Sequence, residues 1–104
     1  MWRTDGNDIT MVVGDYGIIL PISVRGVTIG QYDEMRVKIG NQNAAILELT
    51  FSNIADSAIN LELTAEQSAK LKVGSYLYSI DWYQNGAFMC NLIPVSKFRV
   101  VTKI

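Results

Sequence analysis

The chain has 104 residues, enough for one domain but not for two, each of which would lack a sufficient interior. With 49% hydrophobic residues it can fill a core without disulfide or metal staples. Nine basic against ten acidic side chains give a net charge of -1 and histidine is absent; this balance argues against nucleic acid and anionic lipid as partners and against metallohydrolase or triad chemistry.

Cys90 is the single cysteine, so no internal disulfide can form, and its neighbours Phe88, Met89, Leu92 and Ile93 predict a buried, inert thiol. Met1 to Asp5 lacks the basic-then-apolar build of a signal peptide, and no apolar run approaches the roughly 20 residues that cross a bilayer. The expectation is synthesis in a cytoplasm, with no membrane partner.

Twelve isoleucines and nine valines favour strands, because branching at Cβ stiffens χ1 in a way that suits a pleated surface. After a polar lead that turns at Asp5-Gly6, Ile9 to Val13 is a first strand, stopped by Gly14-Asp15. That pair predicts a hairpin turn whose carboxylate bonds local backbone N–H groups. Tyr16, Ile18, Leu20, Ile22 and Val24 alternate along a second strand, with Pro21 marking an edge or a bulge. Asp33 to Ile39 puts Met35, Val37 and Ile39 on one face and Glu34, Arg36 and Lys38 on the other. Leu47, Leu49 and Phe51, then Ile59, Leu61 and Leu63, continue the alternation, and these three strands predict a meander. Thr64 and Gln67 have the spacing of a capping box, so one or two helical turns are expected near Ala65 to Leu71.

A sixth strand from Tyr76 to Tyr83 places Tyr76, Tyr78, Ile80 and Trp82 on one face. Asn85-Gly86 then supplies the two positive-φ residues of a type I′ hairpin. That turn alone predicts Trp82 opposite Met89, Tyr83 opposite Phe88 and Asp81 opposite Cys90. Pro94 is expected to break the returning strand before a last one from Phe98 to Ile104. Seven to eight short one-sided strands must bury their apolar faces against each other, which predicts an all-β antiparallel sandwich with one short helical turn. Its expected core includes Ile18, Leu20, Ile22, Val37, Ile39, Leu49, Leu61, Tyr76, Ile80 and Trp82.

Chemical motifs are sparse. Asp5, Asn7, Asp8 and Asp15 are oxygen donors within a short span, but their order does not match a calcium loop, and no metal or other cofactor is expected. Asp33 and Glu34 are adjacent, point to opposite faces of a strand and read as surface charges. Ser23, Ser52, Ser68 and Ser79 have no histidine or lysine partner at a recognisable spacing, so the expectation is that the protein is not an enzyme. Tyr16 and Trp82 fall on inward faces, which leaves Trp2, Tyr32 and Tyr83 for an exposed aromatic platform. Charged residues make up only 18% of the chain, a thin polar cover that suggests a surface hidden by other chains.

The stretch Gly74-Ser75-Tyr76-Leu77-Tyr78 resembles the tyrosine corner of immunoglobulin-like domains. Strand Ile9–Val13 with Gly14-Asp15, the succession Leu61, Leu63, Thr64, Gln67 and Gly74-x-Tyr76, and the Asn85-Gly86 hairpin together resemble the N-terminal immunoglobulin-like domain of upper baseplate proteins from tailed phages of Gram-positive bacteria. The resemblance covers nearly the whole chain. It implies a single immunoglobulin-like domain over residues 1–104, a virion structural protein of phage or prophage origin. Its partners would be other tail or baseplate proteins or further copies of itself, and the chain would be the docking module alone or a small prophage-encoded relative. Gly14, Asp15, Gly74, Tyr76, Trp82, Asn85 and Gly86 are expected to act structurally, with no catalytic, cofactor or metal site. A carbohydrate-binding module that meets cell-wall glycans through exposed aromatics is the alternative.

Overall fold

The computed structural model describes residues 3–17, 20–23, 26, 29, 30, 32–41, 44–52, 54 and 57–102. Their strands are β1 (Arg3–Asp5), β2 (Asp8–Val12), β3 (Leu20–Ser23), β4 (Glu34–Asn41), β5 (Ala44–Phe51), β6 (Ala58–Leu61), β7 (Gly74–Gln84) and β8 (Ala87–Val101), and the helix α1 spans Ala65–Ala69. Six strands form one sheet in the order β1-β2-β8-β7-β4-β5, and β3 pairs with β6 in a second. The fold is an all-β sandwich, as the alternation requires.

Alternation also sets the core. Along β4, Met35, Val37 and Ile39 are fully buried, while Glu34, Arg36 and Lys38 between them remain half-exposed. Leu61 and Leu63 from the small-sheet side meet Met11, Ile80 and Phe98 from the large sheet in one cluster. On β7 burial is greatest at Tyr78 and Ile80, whereas Tyr76 and Trp82, expected to be buried, pack on the rim half-exposed. Leu20 and Ile22 are likewise half-buried; Ile18, Val24 and Ile104 lie outside the described residues.

Several pairings differ from expectation. The large sheet is mixed, because β2 runs parallel to β8 with Ile9 opposite Phe98 and Val12 opposite Val101. Gly14-Asp15 therefore does not join two strands of a hairpin. The Asp15 N–H donates to the Val12 carbonyl at 3.1 Å with Gly14 at φ 85°, a glycine at the third position of a tight turn, and the turn sends the chain from one sheet to the other. Strand two is correspondingly short, and Tyr16 is 60% exposed instead of packed in the core. The expected meander holds for β4 and β5 but breaks at β6, which crosses to pair with β3. At the start of the chain, the polar lead contributes a strand of its own, β1, turned onto β2 through Gly6-Asn7.

Pro94 does not end the last strand. β8 runs unbroken from Ala87 to Val101 because it absorbs extra residues as bulges against β7, where the register shifts three times. Asn85 and Gly86 both have positive φ, 51° and 79°, as a type I′ turn demands, and Tyr83 faces Phe88. One bulge further on, Trp82 faces Cys90 and Asp81 faces Asn91, so the simple hairpin count for these two pairs fails.

Candidate interaction surface

The corner between α1 and β7 is built locally. Thr64 Oγ1 accepts from the Gln67 N–H and the Gln67 side chain accepts from the Thr64 N–H, which closes both halves of the capping box. The chain then enters β7 at Gly74, and the Tyr76 hydroxyl donates to the Lys72 carbonyl at 2.8 Å, a back-bond of the kind that a tyrosine corner makes. These residues fix the path of the chain and bring no reactive groups together.

Asp33 is placed very differently from the surface charge expected of it. It is 6% exposed, and its Oδ2 accepts from the Gly30 N–H at 2.9 Å and from the Trp82 indole Nε1–H at 3.1 Å. A buried carboxylate needs such donors; the turn itself is closed by the Asp33 N–H, which donates to the Gly30 carbonyl at 3.1 Å. Tyr78 is also buried, its ring edge-on to Phe98 with centroids 6.2 Å apart. Its hydroxyl donates to the Asn7 carbonyl, and burial, with a smaller contribution from the Asp8 carboxylate, pushes its pKa up.

At the hairpin end of the large sheet, Tyr83 and Phe88 meet edge-to-face at 5.8 Å and 77°. The Arg36 guanidinium lies 3.8 Å above the Tyr83 ring and donates to Glu34 at 2.9 Å; this bond, ahead of its other neighbours, raises the pKa of Arg36. Asn91 donates to Asp81 across the same hairpin at 2.8 Å, so Asp81 is satisfied by a cross-strand amide. Phe88, Met89 and Val95 are exposed, and Cys90 is half-buried, not the buried thiol expected. Tyr32 is 85% exposed and Trp2 lies outside the described residues. Two rings at 77° do not make the flat platform on which a sugar stacks.

The other candidate surface is the edge of the large sheet. Neither the strand at Ile9–Val13 nor the stretch that begins at Phe98 lies at an edge: β2 lies between β1 and β8, and β8 between β2 and β7. The long outer strand is β5, eight residues with partners on one side only among the described residues. It contains no proline and a single charge, Glu48, and so lacks most of the devices that blunt an edge. One bulge sits near its start, where Ile39 faces Leu47 but Gly40 faces Ala45. A groove of about 500 Å³ runs beside it, lined by Glu48 to Phe51 and by Asn60, Glu62, Thr64 and Gln67.

No group of three or more potential ligating side chains is gathered among the described residues, and no described helix is long and apolar enough to cross a membrane. Compared with protein-family models, curated proteins and solved structures, the chain matches none of them.

Proposed function

We propose that the protein is a non-enzymatic assembly module of immunoglobulin-like type. It would serve as a structural part of a phage or prophage tail or baseplate and act by protein–protein docking. The observation that carries this reading is β5, the outer strand of the main sheet among the described residues, with a groove alongside, since the N–H and C=O groups along a sheet edge recruit another strand. The tyrosine-corner bond from Tyr76 to Lys72 and the sequence resemblance support the immunoglobulin-like and baseplate parts of the reading. Exposed Phe88, Met89 and Val95 on the hairpin add apolar surface of the kind interfaces cover.

Light scattering over a concentration series, with and without the tail proteins encoded beside it, tests the reading, together with hydrogen exchange on β5. Association with slowed exchange at the β5 amides is the expected result. A monomer that ignores those proteins and is pulled down by peptidoglycan or teichoic acid would replace docking with glycan binding.

A further inference from the structure

We infer that Asn85 is a site of spontaneous deamidation and that the hairpin turn around it sets the rate. Asparagine is thermolabile, and Asn85 is the one asparagine of the chain that precedes a glycine, the neighbour that hinders the reaction least. Once base has taken its proton, the Gly86 amide nitrogen attacks Asn85 Cγ. The N–Cγ bond forms, the Cγ–Nδ2 bond breaks, and ammonia leaves with the proton returned to it. Water then opens the five-membered imide at one carbonyl or the other and leaves aspartate or isoaspartate.

The structure both admits this step and restrains it. Asn85 and Gly86 are exposed, so water and base reach both. Chain neighbours apart, nothing lies within 4 Å of where a Cβ on Gly86 would stand. The Gln84–Ala87 pair closes the turn, which leaves the Gly86 N–H outside the strand ladder. Yet Asn85 has φ 51°. In that left-handed conformation, with ψ about +45°, its Cβ stands opposite the Gly86 nitrogen across the Cα–C bond, and Cγ cannot meet that nitrogen until the turn opens. Opening is resisted at the next pair, where the Tyr83 and Phe88 rings meet edge-to-face at 5.8 Å. Asn91 is a contrast within the same hairpin: its amide is tied to Asp81 at 2.8 Å and it precedes Leu92. Once isoaspartate forms, an extra backbone carbon stands in a turn built for two residues, so the type I′ geometry cannot close again. A new carboxylate then lies a few residues before the exposed Phe88 and Met89.

The test holds the full chain in slightly alkaline buffer, folded and in unfolding urea, and follows Asn85 by peptide mass mapping, which reads the exchange of –NH2 for –OH. Asn85 should convert in both conditions, more slowly when folded, with Asn91 in the same digest lagging behind it in urea. Phe88→Ala removes the ring that holds the turn shut. It should speed conversion of the folded chain roughly two- to tenfold, the factor that an edge-to-face aromatic pair contributes, and leave the rate in urea unchanged; thermal unfolding checks that the variant folds. Gly86→Ala puts a methyl beside the attacking nitrogen and should slow conversion in urea. An Asn85 no faster than Asn91 in urea, or one that stays intact in the folded chain while it converts in urea, would overturn the site. Equal rates in the two conditions, or a folded rate unmoved by Phe88→Ala, would overturn control by the turn, and a urea rate unmoved by Gly86→Ala would overturn the imide route.

Discussion

Asp33 and Tyr78 each put a polar group where the alternation predicts apolar packing or solvent, and each is made tolerable by a backbone or indole partner. Asp33 Oδ2 serves two donors, the Gly30 N–H and the Trp82 indole. Asp33→Ala should cost about 2 kcal/mol because it strands both donors, whereas Asp33→Asn keeps an oxygen acceptor and should cost less than half of that. Urea denaturation of the two variants compares them, and equal losses would mean that the hydrogen bonds are not what holds this turn. For Tyr78 the sign follows from its raised pKa. The folded protein holds the phenolic proton more tightly than the unfolded chain, so this stability is full below the unfolded value of about 10 and lost as pH rises through the higher folded value. Tyr78→Phe should be less stable at neutral pH, having lost the bond to the Asn7 carbonyl, yet should decline less steeply above about pH 10. Denaturation midpoints of both proteins across pH 8 to 11, roughly bracketing that titration, give the comparison; a constant difference would exclude the Tyr78 hydroxyl as the titrating group.

Between elements, the close approach of β4 and β5 depends on one residue. A Cβ on Gly40 would stand 2.3 Å from the Ala44 carbonyl oxygen and 2.7 Å from Ala45 Cα, both backbone atoms that cannot swing aside. Gly40→Ala should therefore destabilise by about 1–3 kcal/mol as an overpacked site, or force the bulge out and change the register of β5. Thermal denaturation reads the first effect, and an unaltered midpoint would show that the backbone relaxes freely. What the sequence made legible at this scale were features closed within a few residues: the Thr64–Gln67 capping box, the Asn85-Gly86 turn, the inward face of Met35, Val37 and Ile39. Sheet membership was not legible, because a period of two tells which face of a strand is buried and not which strand lies beside it. Leu61 carries the same alternation whether β6 follows β5 in one sheet or crosses to β3. Nor do bulges leave a trace in the pattern of β8, apart from Pro94. The candidate docking edge was missed for the same reason: an edge is a property of pairing, and β5 looks like any other alternating strand until β4, β7, β8 and β2 are stacked on one side of it.

The two sheets are unequal, and the molecule should open unequally. Among the described residues β3 and β6 share four residue pairs and form a sheet of two strands, which has little stability of its own; it is held by Ile59 and Leu61 in the core, while Leu20 and Ile22 are covered only in part. β7 is flanked on both sides, by β4 and β8, and contributes Tyr78 and Ile80 to the core centre. Opening the small sheet breaks one ladder, whereas releasing β7 breaks two and exposes the core. Native-state hydrogen exchange should therefore give bonded amides of β3 and β6 opening free energies at least about 2 kcal/mol below those of β7, as a sub-global unit would. Equal values would mean that Ile59, Leu61 and Leu63 bind the small sheet into a single cooperative unit with the large one, so that the sandwich opens only as a whole.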